Sequence, residues 1–164
     1  MPQIHHKALR DPVIVAGFQI RTTNVAELAG TGKIGPLWQR FFAENLAAQI
    51  PSRSSEALYA VYSNYESDEN GAYDYLLGSP VSSIDNLPAG MTFAAIPTGE
   101  YAVITTEKGP IVSVMQSAWK SIWSLSPAEL GGKRSFLTDY EIYDHRAADP
   151  ASAQVEIYLA LEPR

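Results

Sequence analysis

The same order of secondary-structure patterns occurs twice along this chain, once in each half. A strand, an amphipathic helix and two more strands follow one another, and the order begins again after Pro88-Ala89-Gly90. The helices are expected to open at Pro36 and at Gly109-Pro110, because proline is tolerated in a first helical turn. A β-bulge is expected at Gly78-Ser79-Pro80. The predicted strands are Val13–Arg21, Leu58–Glu66, Ala72–Ser82, Met91–Pro97, Glu100–Gly109, Phe136–Asp144 and Val155–Leu161.

Two local matches indicate an internal duplication. The segment GPLWQRF matches SAWKSIW, which aligns Trp38 with Trp119, and SNYES matches TDYEI, which aligns Glu66 with Glu141. We therefore predict an α+β fold of duplicated β-α-β-β modules with pseudo-twofold symmetry. Residues 1–164 would form a single domain, with repeat halves at about 12–87 and 88–162. The antiparallel sheets would form a central ligand cleft, and the helices would lie on the opposite face.

Composition excludes several function classes. The 164 residues include 12 Lys and Arg against 18 Asp and Glu, a formal net charge of −6 with no basic run. Direct nucleic-acid binding through phosphate contacts is therefore not expected. Because there is no cysteine, disulfide scaffolds, zinc ribbons, iron–sulfur clusters and thiol catalysis are excluded. The chain has no long apolar stretch and no apolar leader, so we expect a cytoplasmic protein without a membrane partner.

Motifs for metals and cofactors are missing. The run Gly30-Thr31-Gly32-Lys33 lacks the spacing of a phosphate-binding loop, and the acidic Ser67–Gly71 segment lacks EF-hand spacing. His5 and His6 lie in a polar segment and His145 borders a turn, so all three are expected to be exposed. No metal site and no cofactor is therefore predicted.

Strand alternation assigns side chains to faces. In the last predicted strand, Val155, Ile157, Leu159 and Leu161 share one face, and Glu156, Tyr158 and Ala160 share the other. The aliphatic face of this strand should cover the helices. In the preceding strand Asp139, Glu141 and Tyr143 share a face. We expect acid and phenol side chains to gather on the faces away from the helices.

The aromatic content of the chain suggests what such a face could bind. The sequence has nine tyrosines and three tryptophans, and aromatic faces attract flat apolar molecules and cations. One carboxylate among the rings would favour a cationic ligand, or would serve as a base whose pKa is raised by burial. Ordinary core packing of strand tyrosines and helix tryptophans stays open as the alternative.

The order and spacing of several segments resemble the GyrI-like, or AraC-type effector-binding, domain superfamily. The resemblance covers about Pro12 to Leu161. It is carried by GFQIRTTN, IGPLWQRF, YAVYSNYESDENGAYDYLLG, PAGMTFAAIPTGEYAVITTEKGPI, AWKSIW, FLTDYEIYD and VEIYLAL. It implies a pair of β-α-β-β modules with a central cleft, which in multidrug-responsive activators binds lipophilic cations between aromatic rings beside a buried glutamate.

The resemblance also implies site residues. Glu141 in TDYEIYD looks like the buried glutamate, and Tyr62 and Tyr158 look like ring positions of the cage. Trp38, Trp119 and Tyr143 are expected as further walls. Glu66, aligned with Glu141 by the repeat, is followed at once by a turn and is expected to be more exposed.

Three functions remain open at this point. In the first, a stand-alone module without a preceding helix-turn-helix binds amphipathic or cationic small molecules and is not an enzyme. In the second, a hydrolase of cyclopropane-type or other electrophilic toxins uses Glu141 as general base and Tyr62, Tyr143 or Tyr158 as proton donor. In the third, the module binds a protein partner such as gyrase or a separate regulator. Edge strands at Val13–Arg21 or Val155–Leu161 would be compatible with a homodimer.

Overall fold

The computed structural model describes residues 3–163 as one eight-stranded sheet with four helices. The strands are β1 (Gln3–Leu9), β2 (Val13–Thr23), β3 (Leu58–Ser63), β4 (Ala72–Pro80), β5 (Thr92–Ile96), β6 (Gly99–Thr105), β7 (Thr138–Tyr143) and β8 (Glu156–Ala160). The helices are α1 (Asn24–Leu28), α2 (Ile34–Ala43), α3 (Ile111–Trp123) and α4 (Pro127–Leu130). Among these residues, no helix has the length and hydropathy that crossing a membrane requires.

The strand order is β1-β6-β8-β7-β3-β4-β2-β5, and every neighbouring pair is antiparallel. β2 and β8 are interior strands, so the prediction of edge strands at Val13–Arg21 and Val155–Leu161 was wrong. One half of the chain supplies β2, α2, β3 and β4, and the other supplies β6, α3, β7 and β8. The halves meet where β3 pairs with β7, at the centre of the sheet. The predicted α+β class is confirmed, whereas the pseudo-twofold relation and the division into repeat halves stay predictions.

The sheet must curl, because a very short link joins strands near its two ends. β5 and β6 lie six strand spacings apart, which would be about 29 Å in a flat sheet. Only Pro97 and Thr98 connect them, and such a link spans about 11 Å at most. Val15 and Ile96 from one end accordingly pack in one buried cluster with Tyr101 and Val103 from the other.

The long helices cover the other, convex face. α2 buries Leu37 and Phe41 against β2, β3 and β4, and α3 buries Ala118 and Ile122 against β6 and β8. Ile157 and Leu159 of β8 belong to the α3 cluster, as the alternation of that strand predicted. Because one face is packed by helices and the other by its own curl, both faces of the central strands are buried.

Several predicted element boundaries were wrong. β1 was missed because its alternation is masked by polar side chains, including His5 and His6. α2 begins at Ile34, two residues before the predicted opening at Pro36. It ends at Ala43 because Asn45 adopts a left-handed backbone (φ 48°), and a 3-10 turn over Leu46–Gln49 follows. The bulge predicted at Gly78-Ser79-Pro80 is absent, since Gly17 pairs with Gly78 in an uninterrupted register.

Candidate functional site

Glu141 lies at the middle of the sheet, in β7, between Ala60 of β3 and Ile157 of β8. Its side chain is 1% exposed. The alternation of β7 and the partner Ile157 place it on the face that carries the helices. The prediction that acid and phenol side chains gather away from the helices was therefore wrong for this site.

Three aromatic side chains donate hydrogen bonds to the Glu141 carboxylate. The Tyr62 hydroxyl lies 2.8 Å from Oε2, the Trp119 indole Nε1 lies 2.6 Å from Oε2, and the Tyr143 hydroxyl lies 2.7 Å from Oε1. Tyr62 comes from β3 and Trp119 from α3, so sheet and helix both contribute. Within residues 3–163, no Lys, Arg or His forms an ion pair with Glu141. The site therefore offers this carboxylate neutral donors and no counter-charge.

An outer set of rings closes around these donors. The Trp38 ring of α2 packs edge-on against Tyr143 with centroids 4.7 Å apart, and its Nε1 donates to the Tyr75 hydroxyl at 2.9 Å. Tyr62 contacts Tyr75 at 5.0 Å and Trp119 at 5.1 Å. We call Tyr62, Tyr75, Tyr143, Trp38 and Trp119 the aromatic shell.

Burial controls the protonation of this cluster. Desolvation raises the pKa of Glu141 above its ordinary value of 4.5, although the hydrogen bonds from Tyr143, Trp119 and Tyr62 act in the opposite direction. Burial, and next the nearby Glu141 charge, raise the pKa of Tyr62, Tyr75 and Tyr143 well above 10.0. At neutral pH these phenols are therefore protonated donors.

A second buried carboxylate lies on the same face of β7, two residues before Glu141. Asp139 is fully buried, and its oxygens accept hydrogen bonds from the Ala160 amide at 2.9 Å and the Tyr65 hydroxyl at 2.6 Å. Unlike Glu141 it has a cation: Arg134 Nη2 lies 2.7 Å from Oδ2. The two acids thus share a strand face, but the charge of Asp139 is neutralised by an arginine whereas Glu141 has only neutral hydrogen-bond donors.

The structure brings five of the six predicted site residues together. Glu141, Tyr62, Tyr143, Trp38 and Trp119 are in one cluster. Tyr158 is a correction, because it lies on the concave face and stacks on Tyr140 with centroids 4.4 Å apart. The sheet separates its ring from Glu141, so it does not belong to this site. Glu66 lies beyond the end of β3 and is exposed, as predicted.

The expected cleft is filled by side chains. Two surface cavities among the described residues have volumes of about 390 and 300 Å³ and are lined by other residues, around His145–Gln154 and Ser82–Phe93. Neither touches Glu141, whose surroundings are occupied by the aromatic shell. No group of three His, Asp or Glu side chains within residues 3–163 is placed to hold a metal ion.

Tyr75, Asp139 and Arg134 were not predicted as site residues. Alternation had already placed Asp139 on the face of Glu141, and the pairing of β3 with β4 puts Tyr75 directly opposite Tyr62. Arg134 lies in the loop before β7, and no periodic pattern reports the direction of a loop side chain.

Residues 9–161 match the Cass2 family, the integron-associated effector binding proteins. This chain belongs to that family. The predicted membership of the effector-binding superfamily is thereby confirmed. A putative transcriptional regulator, YobU of Bacillus subtilis (strain 168), is 34% identical over 148 residues, which are 90% of this chain and 91% of YobU.

Solved structures of effector-binding proteins share the fold. The integron cassette protein VCH_CASS2 from the mobile metagenome of Vibrio cholerae superimposes with a TM-score of 0.75 and 27% identity, covering 97% of this chain and 95% of that one. SAV2435, in a structure bound to tetraphenylphosphonium, gives a TM-score of 0.77 at 14% identity and covers 98% and 94%. At that identity the likeness to SAV2435 concerns the fold alone.

Proposed function

We propose that this effector-binding domain binds lipophilic cations at Glu141, within the aromatic shell. The observation that carries the proposal is the state of Glu141, which is 1% exposed and has three neutral hydrogen-bond donors but no counter-charge among the described residues. A buried carboxylate without a cation is costly to keep ionised, and a bound cation would supply the missing charge.

The shell suits the apolar part of such a ligand. Aromatic faces contribute about 0.5–2 kcal/mol each to holding a cation, with the larger values in desolvated sites. Tyr62, Tyr143, Trp38 and Trp119 surround one carboxylate from four elements. The fold is also that of SAV2435, a protein whose structure contains the lipophilic cation tetraphenylphosphonium.

Binding requires the shell to open. Trp38, Trp119 and Tyr143 are the half-buried rings of the shell, and both indoles are carried by helices on the convex face. Rotation of the Trp119 indole, which donates to the carboxylate, would expose Glu141 while the strand tyrosines stayed in place. The ligand would then replace an indole as the neighbour of the carboxylate.

A titration with matched ligands tests the proposal. Tetraphenylphosphonium and the neutral triphenylphosphine oxide are titrated by calorimetry into the wild type, Glu141→Gln and Glu66→Gln. We expect Glu141→Gln to lose about 2–5 kcal/mol of cation binding, which is about 30-fold or more in Kd. Glu66 is exposed, so Glu66→Gln should bind as the wild type does. Equal binding of the neutral compound, or an unchanged Kd in Glu141→Gln, would contradict the proposal.

One observation favours hydrolysis as a second candidate. The Tyr62 and Tyr143 hydroxyls are within hydrogen-bond distance of the Glu141 carboxylate, the arrangement that a base with a neighbouring proton donor requires. In this mechanism Glu141 would take a proton from water and a tyrosine would protonate the leaving oxygen or the opening ring. Turnover of an electrophilic cyclopropane compound that is lost in Glu141→Gln, with binding retained, would favour this function over simple binding.

A further inference from the structure

Two buried carboxylates share the convex face of β7, but within residues 3–163 only one of them has a cationic partner. Asp139 is 0% exposed and forms an ion pair with Arg134, whereas Glu141 accepts hydrogen bonds from neutral groups alone. Side chains two residues apart on a strand are separated by about 7 Å. When Glu141 is ionised, these three side chains therefore carry one net negative charge within a small buried volume.

Arg134 is held as an external cation would be held. Its side chain is 9% exposed, and its guanidinium lies over the Phe136 ring at 4.2 Å and 6.0 Å from the Trp119 ring. Its Nε atom is buried without a hydrogen-bond partner. The guanidinium thus contacts one carboxylate and two aromatic faces. Glu141 and the aromatic shell offer the same kinds of contact two residues further along the strand.

Trp119 joins the two positions. Its indole Nε1 donates to Glu141, and its ring faces the Arg134 guanidinium. A ligand that displaced this indole would therefore lie next to Arg134 as well as next to Glu141. The charge of Arg134 would then act directly on whatever charge the ligand carries at that end.

We infer that Arg134 is a specificity-determining residue that fills a second cation position and so restricts the site to ligands with a single positive charge. The inference rests on the proposed function. With Asp139 neutralised from within the protein, only Glu141 is available to a ligand, and a second ligand charge would meet the guanidinium. Without Arg134, Asp139 would be a free buried anion at the right spacing for a dication.

Two isosteric probes test this restriction. Both are alkyltriphenylphosphonium ions with a four-carbon chain, and the chain ends either in a neutral tert-butyl group or in a trimethylammonium group. Their Kd values are measured for the wild type, Arg134→Met, Asp139→Asn and the double variant Arg134→Met/Asp139→Asn. The ratio of the two Kd values reports ligand-charge selectivity, which a purely structural role of the ion pair would not change.

The wild type should bind the monocation more tightly than the dication. In Arg134→Met, dication binding should improve relative to monocation binding by about tenfold or more in the ratio of the two Kd values. The reason is that a buried like-charge contact is replaced by an attractive one. In the double variant, which removes both charges and hence both the like-charge and the attractive contact, the ratio should lie between those of the wild type and Arg134→Met. Asp139→Asn removes the negative charge that pairs with Arg134. The unpaired guanidinium should then raise the Kd of both probes by about tenfold.

The outcomes separate this inference from the proposed function. If the wild type binds neither probe, the proposed function fails. If the wild type binds the monocation but the ratio is the same in a folded Arg134→Met, only the restriction by Arg134 is overturned. Should Arg134→Met fail to fold, Asp139→Asn decides, because monocation binding equal to that of the wild type would equally overturn the inference.

Discussion

At the scale of single residues, the unusual feature is a glutamate with three hydrogen-bond donors and no counter-ion in the part of the chain that the structure describes. Tyr62, Tyr143 and Trp119 stabilise the ionised form of Glu141, yet desolvation outweighs them and raises its pKa above 4.5. A cation that arrives at this carboxylate favours the ionised form, so its pKa must fall on binding. By linkage, binding of a cation releases a proton wherever free Glu141 is protonated.

The pH dependence of cation affinity follows from that linkage. As pH falls from neutral through the raised pKa of free Glu141, the Kd for tetraphenylphosphonium should rise, approaching about tenfold per pH unit below that pKa. The weakening should thus begin above pH 4.5, the ordinary value for a glutamate. Calorimetry from pH 7 downwards measures it, with Glu141→Gln as the control that should show no such trend. A flat profile in the wild type would contradict a titrating Glu141 at the site.

At the scale of elements, α2 and α3 each contribute one indole to the shell, with different partners. Trp119 donates to Glu141, whereas Trp38 donates to the Tyr75 hydroxyl and packs on Tyr143. The two helices are therefore not interchangeable as walls of the site. α3 stabilises the charged form of the carboxylate through a hydrogen bond, whereas α2 packs against the rings around it.

Two tryptophan substitutions distinguish these roles. Trp119→Phe keeps a ring but removes a hydrogen bond to the carboxylate, so it should raise the pKa of Glu141 further. Trp38→Phe removes a bond between neutral groups and should leave that pKa near the wild-type value. A ¹³C NMR titration of the glutamate carboxyl carbons would measure both, with Glu141→Gln used to assign the signal. Equal shifts in the two variants would show that the assigned roles are wrong.

In β7, the strand pattern determines part of the arrangement and tertiary packing determines the rest. Alternation correctly predicted that Asp139, Glu141 and Tyr143 share a face, because strand geometry alone determines this. It could not decide which face the helices cover, since the curl of the sheet buries the other face too and both faces of β7 carry apolar or aromatic neighbours. Alternation correctly placed Tyr158 on the face of β8 away from the helices. It was the assignment of Glu141 to that same face that wrongly joined the two residues in one site.

At the scale of the whole molecule, two opposed glycines allow close approach within the sheet. Gly17 of β2 pairs with Gly78 of β4. A Cβ atom on Gly78 would meet the backbone oxygen of Ala16, and one on Gly17 would meet the backbone oxygen of Leu77. Since the obstructing atoms are backbone, a side chain cannot rotate away to relieve the clash. The local sheet geometry thus depends on the absence of these two side chains.

Alanine substitutions measure that dependence. Gly78→Ala should lower the free energy of unfolding by about 1–3 kcal/mol, the usual range for overpacking. Gly35→Ala is the matched control, because no heavy atom lies within 4 Å of its added Cβ and it lies in the first turn of α2. That variant should be neutral, or more stable by about 1 kcal/mol. Urea unfolding of the three proteins gives both values, and equal stability of Gly78→Ala and wild type would refute the close-approach argument.

The position of β8 in the strand order has a consequence for synthesis on the ribosome. β8 is the last strand to be made, yet it lies between β6 and β7 in the interior of the sheet. Until Ala160 has emerged, β6 and β7 lack their shared neighbour, and the backbone groups that β8 will pair stay open. Gln3 must also wait for Thr105, its partner in the pairing of β1 with β6. The sheet of this domain can therefore be completed only after β8 has been synthesised, and its pairings of distant segments belong to the slow, millisecond-to-second class of domains.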